Sequence, residues 1–418
     1  MKKLNGMRID LIVEALRRLL PMKEPADVAL RRFFQENRAG KSERAFAAEA
    51  AFSILRRKTM IDYLIEQSGE QGTPRKLLLV WLSRMEGMNL KELHPYLSEP
   101  EEKWLASVKA VALDDAPLDA RADLPEWVIS RLRQYMGIED ILSIGRAMQQ
   151  KAPMDIRVNT IKAKREEAIA KIGGEATPYS PIGLRFKDKF PLNENPFFLE
   201  GKVEVQDEGS QLLGYLLAPK RREMVVDFCA GAGGKTLMLG ALMGSTGRLY
   251  AFDVSEKRLE KLSPRLKRSG LSNVTPQWIQ SENDIRVKRL SGKIDRVLVD
   301  APCSGTGTLR RNPDLKWRQS ERTLEELTKK QSSILEGASI LLKPGGRIVY
   351  ATCSILQEEN QEIVSRFLES HPDFRLLDAS EILKSQHIDL DTGKYLELRP
   401  DIHGTDGFFA AAMEKLSP

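Results

Sequence analysis

The spacing of apolar residues changes twice along the chain, dividing it into three stretches. Up to about residue 145, apolar side chains recur every three or four positions, the period of a helix with one buried face. "RIDLIVEALRRLL" sets Ile9, Ile12, Val13, Leu16, Leu19 and Leu20 on one stripe. "SERAFAAEAAFSILRRKTMIDYLI" repeats the pattern through Phe46, Ala50, Ile54, Leu55 and Ile61, with Ser42 as the expected N-cap. "TPRKLLLVWLSRMEG" runs from Thr73-Pro74 to Gly87, a start-and-stop pair. A further amphipathic stretch carries Trp104 to Leu113. Residues 114–137 read as a linker with a helix after Pro125. The first stretch, 1–145, therefore predicts an all-α bundle.

From residue 153 the pattern shortens. "MDIRVNT" and "GLRFKD" look like strands, and "KAKREEAIAKIGG" between them like a helix ending at Gly173-Gly174. "KVEVQDEGSQLLGYLLA" reads as a strand turning into a helix near Ser210. These elements predict a small α+β domain over 146–205. Beyond it, four apolar runs, "MVVDF", "RLYAFD", "DRVLVD" and "GRIVYAT", are each followed by a turn and a helical pattern. That alternation predicts an α/β domain with a parallel, doubly wound sheet over 206–418, closed by a hairpin-type strand in "HGTDGFFAAAMEKL".

Composition narrows the class. The 418 residues are 41% hydrophobic and 30% charged, which suits a globular chain of two or three domains. No apolar run is long enough to span a bilayer. Asp10 and Glu14 interrupt any secretory core near the start, so a cytoplasmic protein is expected, with no membrane partner. A net charge of +6 permits a polyanionic partner. Three cysteines exclude a disulfide framework, and four dispersed histidines show no metal-ligand spacing, so no metal is expected.

The cysteines sit at informative places. "VVDFCAGAGGKT" ends like a triphosphate-binding loop, but that loop needs glycine where Cys229 stands. A dinucleotide fingerprint would need a third glycine at Thr236. S-adenosylmethionine fits the turn better. Glycines let the backbone approach the ligand, the helix N-terminus meets its carboxylate, and Asp253, about one strand later, can grip the ribose hydroxyls. "DRVLVDAPCSGTGTLRRNPDLKW" puts Asp300, Pro302 and Cys303 at the end of one strand, and "GRIVYATCSILQEEN" puts Cys353 at the end of another. Ligands of open parallel sheets bind beyond those strand ends.

Two thiols, an acid and a methyl-donor loop suit alkylation of an unreactive ring carbon. C5 of cytosine becomes nucleophilic once a thiolate has added at C6, and covalent catalysis of this kind divides one hard step into easier ones. A thiol needs a nearby cation or dipole to ionise, and Lys235 is the nearest candidate. Asp300 could hydrogen-bond the base.

"DFCAGAGGKT", "DAPCSGTGTLRRNPDLKW" and "YATCSILQEEN", together with "RVNT" and "VEVQDEGSQLL", resemble the motifs of the RNA cytosine-C5 methyltransferases, the NOL1/NOP2/Sun family, and most closely its bacterial 16S ribosomal RNA branch. The likeness is dense over about 200–415. It implies a Rossmann-like S-adenosylmethionine-dependent domain, a small RNA-contacting domain before it, and a NusB-like RNA-binding domain at the N-terminus. It further implies Cys353 as nucleophile and Cys303 as the group that releases the adduct, with Asp300 and Lys235 assisting. DNA cytosine methyltransferases attack instead with the Pro-Cys cysteine, here Cys303. The implied cofactor contacts are Cys229, Ala230, Gly231, Ala232, Gly233, Gly234, Lys235, Asp253, Asp284 and Asp300. The loop departs from the family at Gly231-Ala232, where Ala-Pro is common, and a looser turn is expected. "SENDIR" departs at Asp284, where Gly-Asp-Gly-Arg is commoner.

Arg157 and Asn159 of "RVNT", and Arg310, Arg311 and Trp317 after the Cys303 tip, are the expected RNA contacts. The expectation is a monomer acting on RNA, with ribosomal RNA favoured. A tRNA target, or an assembly factor that keeps the donor pocket for regulation, are the alternatives.

Overall fold

Helices form where the three-to-four spacing predicts them. In a computed structural model that describes residues 4–187 and 190–417, the N-terminal stretch folds into helices that include Gly6–Leu19, Ala26–Glu36, Lys41–Arg56, Lys58–Gln67, Pro74–Val80 and Glu99–Ala110. The first buries Ile9, Ile12, Val13, Leu16 and Leu19 on one stripe, each contributing about 1.5–3 kcal/mol by leaving water. Thr73 caps its helix by accepting from the Lys76 amide, with Pro74 at the first position. The expected cap at Ser42 is not formed. That helix starts at Lys41 after an extended Gly40, which leaves Ser42 in the first turn.

These helices up to Lys151 form one compact unit, and a piece from much later in the chain, Thr308–Glu321, belongs to the same unit. Its carboxylate Asp314 accepts from the Ala26 amide at 3.3 Å, and Lys316 donates to the Arg56 carbonyl at 2.7 Å. This return was not visible in the sequence.

The remainder, Ala152–Gly307 and residues from Arg322 onward, forms the second unit. It contains two sheets. The smaller is made of β1 (Met154–Val158), β2 (Glu175–Ala176), β3 (Gly183–Phe186) and β4 (Val203–Val205), in the order β2-β3-β1-β4, with every neighbouring pair antiparallel. Asp188, at the end of the stretch read as a strand from 183, lies outside the described residues. Ile156, Val158 and Leu184 of this sheet share one hydrophobic core with Leu212, Leu213 and Leu216 of the next helix, Glu208–Leu217. The stretch read as a separate small domain is therefore welded to the α/β part of the chain.

The larger sheet comprises β5 (Met224–Asp227), β6 (Arg248–Asp253), β7 (Val274–Trp278), β8 (Ile294–Asp300), β9 (Leu342–Thr352), β10 (Phe374–Leu376), β11 (Leu396–Leu398) and β12 (Phe408–Lys415). Its order is β10-β12-β9-β8-β5-β6-β7, with β11 against β12. The pairs from β7 across to β9 are parallel, and β12 runs antiparallel between β9 and β10. Because strand side chains alternate, Val225, Leu298 and Val349 enter one core and Val226, Val297 and Ile348 enter another. Strands covered on both faces read as continuous apolar runs, which is why the sequence shows them clearly. The order reverses at β5, so the crevice above β5 and β8 is where such a sheet binds its ligand.

Candidate active site

Five strand ends supply the site. After β5 the chain turns through Cys229–Gly233 into the helix Gly234–Leu242. Gly231 has a φ of 56° and Gly233 one of 83°, both left-handed. A β-carbon on Gly233 would collide with Leu262 below the turn, whereas one on Gly231 would meet nothing. The turn is therefore packed from beneath and open above, as a loop that receives a ligand must be. Asp253, at the end of β6, holds it from the side: one carboxylate oxygen accepts from the Gly231 amide at 2.8 Å and the other from Ser255 at 2.7 Å. On the remaining side Arg265 donates to the Ala232 carbonyl at 2.7 Å and to Glu204 of β4 at 3.0 Å. The looser turn expected from Gly231-Ala232 is thus braced from outside.

The donor set fits S-adenosylmethionine. The open turn and helix N-terminus suit its amino-acid end, and Asp253 suits the ribose. Val254 and Ile285, which directly follow Asp253 and Asp284, are 52% and 59% exposed and are the apolar candidates for an adenine contact. Sequence reasoning missed both. Their signal was an apolar residue placed straight after each carboxylate. Asp284 itself is tied to the chain: it caps the short helix Ile285–Lys288 and accepts from the amides of Gln280 and Arg286, bonds that hold its carboxyl below the usual range.

Two further groups lie under the turn. Asp227 is wholly buried at the end of β5 and accepts from the Thr236 hydroxyl at 2.6 Å, while its other oxygen has no partner. Burial, aided by the charge of Asp300, pushes its carboxyl up to about 7. Cys229 packs against the core beside it. Burial first, then the carboxylates of Asp300, Asp227 and Asp253, push that thiol well above its ordinary value. A thiol in such surroundings stays protonated and packs.

Lys235, one residue into the helix, donates to Asp300 at the end of β8 at 2.8 Å. Burial pulls the ammonium down, but Asp300, Cys353 and Asp227 outweigh it and hold it above the usual lysine value. Lys235 therefore keeps its charge, with Cys353 near enough to be among the causes.

β8 and β9 are parallel neighbours, with Asp300 opposite Ala351, so the loops at their ends emerge side by side. This brings Cys303 Sγ within 3.4 Å of Cys353 Sγ. The bond to Cys353, then burial, then the charges of Cys353 and Glu359, push the Cys303 thiol well above its ordinary value. The structure thus gathers Cys229–Lys235, Asp253, Asp300, Cys303 and Cys353 around one crevice, with Asp284 at the end of its flank.

The expected RNA contacts are placed differently. Arg157 is 1% exposed and donates to Gln206 at 2.6 Å, and burial brings its guanidinium down to about 10. Asn159 is buried and donates to the carbonyls of Gly201 and Ser269, each at 2.9 Å. Both hold the chain together and have no surface to offer an RNA. Arg310 is buried within the helical unit, where its carbonyl accepts from Arg56 at 2.8 Å. Trp317 packs half-buried on the helical core beneath Lys58. Of the five, only Arg311, half-buried in the same segment, keeps both charge and some exposure. Among the described residues no cluster of His, Cys, Asp and Glu could hold a metal, and no helix is long and apolar enough to cross a membrane.

Comparison with known proteins finds related chains. A family model described as 16S rRNA methyltransferase RsmB/F matches residues 214–414, and one described as an RsmF/B-like ferredoxin-like domain matches 124–193. The probable ribosomal RNA small subunit methyltransferase B of Synechocystis is 30% identical, over 93% of this chain and 95% of its own. Ribosomal RNA small subunit methyltransferase B of Klebsiella pneumoniae is 30% identical, over 91% and 92%. Among solved structures, PH0851 is 29% identical over 99% of both chains, with a TM-score of 0.79. A methyltransferase homolog from Pyrococcus horikoshii is also 29% identical, covering 72% of this chain and 98% of its own, with a TM-score of 0.60.

Proposed function

The chain belongs to the 16S rRNA methyltransferase RsmB/F family, and from that premise we propose that it methylates C5 of a cytidine in small-subunit ribosomal RNA through a covalent bond between Cys353 and C6 of the base. The observation that carries this reading is the pair of thiols 3.4 Å apart at the tips of β8 and β9, beside the Lys235–Asp300 ion pair. One thiol suffices for addition. A second within hydrogen-bond reach of the first has a use only if a proton must also be moved there.

The residues divide the work between addition and release. Cys353 Sγ attacks C6, forming an S–C6 bond and leaving the electron pair on C5. Lys235 favours negative charge on the sulfur and on the ring, and Asp300, held by Lys235, accepts from the exocyclic amine. S-adenosylmethionine, seated on the Gly231–Gly234 turn and Asp253, supplies an electrophilic methyl group. Once methylated, C5 must lose its proton. Before addition, the hydrogen bond with Cys353 and its electrostatic influence help hold the Cys303 thiol above its ordinary value. Once the Cys353 sulfur is bonded to C6, both of those causes disappear. Cys303 then releases its proton to solvent and takes the one on C5. The C5–H electrons restore the C5–C6 double bond and expel the Cys353 thiolate.

An assembly factor with a disused donor pocket would need none of these groups, yet all are present and mutually oriented. Bisulfite sequencing of ribosomal RNA from cells with and without the protein tests the reading. One protected small-subunit cytosine should become convertible in its absence. Loss of a tRNA signal instead would move the target but keep the chemistry, and no change in any RNA would sink the proposal.

A further inference from the structure

Behind the two thiols lies a carboxylate that the reaction does not use. Glu359 is 0% exposed, in a short helical turn shortly after Cys353. One of its oxygens accepts from the Ser304 amide at 2.8 Å and from Gln331 at 2.9 Å, and the other accepts from the Ser304 hydroxyl at 2.5 Å. Gln331 also donates to the Pro302 carbonyl at 2.9 Å. The residues on both sides of Cys303 are therefore tied, directly or through Gln331, to one side chain from the loop that carries Cys353. Glu359 is anchored in turn, its carbonyl accepting from the Tyr350 hydroxyl of β9 at 2.6 Å. Around Ser304, the hydroxyls of Thr306 and Ser354 lie 3.1–3.3 Å from one another and from the Ser304 hydroxyl. Gly307 donates to the Cys353 carbonyl at 2.9 Å.

No described cation forms a salt bridge with Glu359. A buried carboxylate held only by neutral donors is costly compared with an apolar filler of the same size. What it provides is direction: its two oxygens capture two donors of a single residue, which fixes the peptide after Cys303 in one orientation. Proton transfer from C5 needs that orientation, because the donor carbon is bonded through the base to Cys353 while the acceptor sulfur is carried by the other loop.

We infer that Glu359 is a positioning residue for adduct release: it spans the two loops and sets the Cys303 thiol at the distance from Cys353 from which it can take the C5 proton. The inference rests on the covalent reading above. Addition and methyl transfer depend on Cys353, Lys235 and the donor turn, none of which Glu359 touches, so its loss should act on release alone.

The test uses the full chain with unmodified small subunits and radiolabelled donor. Glu359→Gln should transfer its first methyl group at a rate close to that of the parent, while steady turnover falls roughly 10- to 100-fold, the cost of a misplaced reacting group. The methylated protein–RNA adduct should build up as a slow band on a denaturing gel, and Glu359→Asp, which restores the charge, should recover part of the turnover. Ser304→Ala removes one of the captured donors without removing the buried charge. It should show the same pattern more weakly, and it decides the matter if Glu359→Gln fails to fold. Equal losses in the first transfer and in turnover, with no adduct in either variant, would overturn the inference. Cys303→Ala is the control: if it too accumulates no adduct, the covalent reading has failed, whereas an adduct with Cys303→Ala but not with the Glu359 and Ser304 variants rejects the role of Glu359 alone.

Discussion

Cys303 Sγ stands 3.4 Å from Cys353 Sγ, and that contact is the first of the causes that raise the Cys303 thiol above its ordinary value. On the covalent reading proposed above, that relationship lets two chemically identical side chains take different duties, the raised thiol serving as the base once its neighbour is bonded to C6.

Cys353→Ala should therefore abolish both methyl transfer and the adduct. Cys303→Ala should still add and methylate, then stall, with turnover down by about 10²–10⁴-fold, the usual contribution of a positioned acid–base group. Denaturing electrophoresis of the protein with labelled RNA shows the stalled species. Normal turnover by Cys303→Ala would mean that the roles have been assigned wrongly.

Cys229→Ala should form the adduct and turn over within a few-fold of the parent. Its cost should appear in stability, at roughly 1 kcal/mol for a small buried thiol replaced by a smaller group. A thermal melt alongside the gel assay separates the two effects. An adduct that disappears with Cys229→Ala would make this thiol part of the chemistry.

Arg265→Met removes the donor that braces the Ala232 carbonyl and leaves Glu204 to Arg268. Loss of a charged hydrogen bond of this kind amounts to about 1.5–3 kcal/mol, so affinity for S-adenosylhomocysteine, read by calorimetry, should fall about tenfold or more. Unchanged affinity with a lowered melting temperature would confine Arg265 to packing.

Asp227 predicts a pH dependence. Its carboxyl is raised from 3.8 to about 7 in the folded protein. The folded state therefore holds a proton that the unfolded chain gives up near pH 4, and its stability falls as pH rises from there to about 7, by up to about 1.4 kcal/mol per pH unit. Asp227→Asn keeps an acceptor for Thr236 and cannot ionise. Its melting temperature should change less across that window than the parent's, and parallel profiles would show that the residue does not titrate there.

What the sequence revealed is a matter of burial. β5, β6, β8 and β9 are covered on both faces and so stand out as apolar runs. β7 is an edge strand in which Pro276 pairs with Ala251, and its half-exposed "VTPQW" carries no period to detect. The placing of Cys303 and Cys353 at the strand tips was legible because cysteine is rare and strand ends are predictable. Arg157 was misread because an arginine between two apolar strand residues looks the same whether it meets a phosphate or Gln206, and Gln206 lies far along the chain, just after β4. Glu359 stood in a stretch already singled out for its cysteine, but only the meeting of β8 with β9 shows which backbone it holds.

The return of Thr308–Glu321 to the helical unit has a consequence for how the protein is made. Arg310, Asp314 and Lys316 take partners among the first helices, near Ala26 and Arg56. On the ribosome those helices emerge first, but the segment that completes them arrives only after β5, β6, β7 and β8 have been synthesised. The N-terminal unit must wait, with its last contacts open, until most of the parallel sheet exists. Its completion is therefore tied to the order of synthesis, and a chain released before Glu321 leaves both units unfinished.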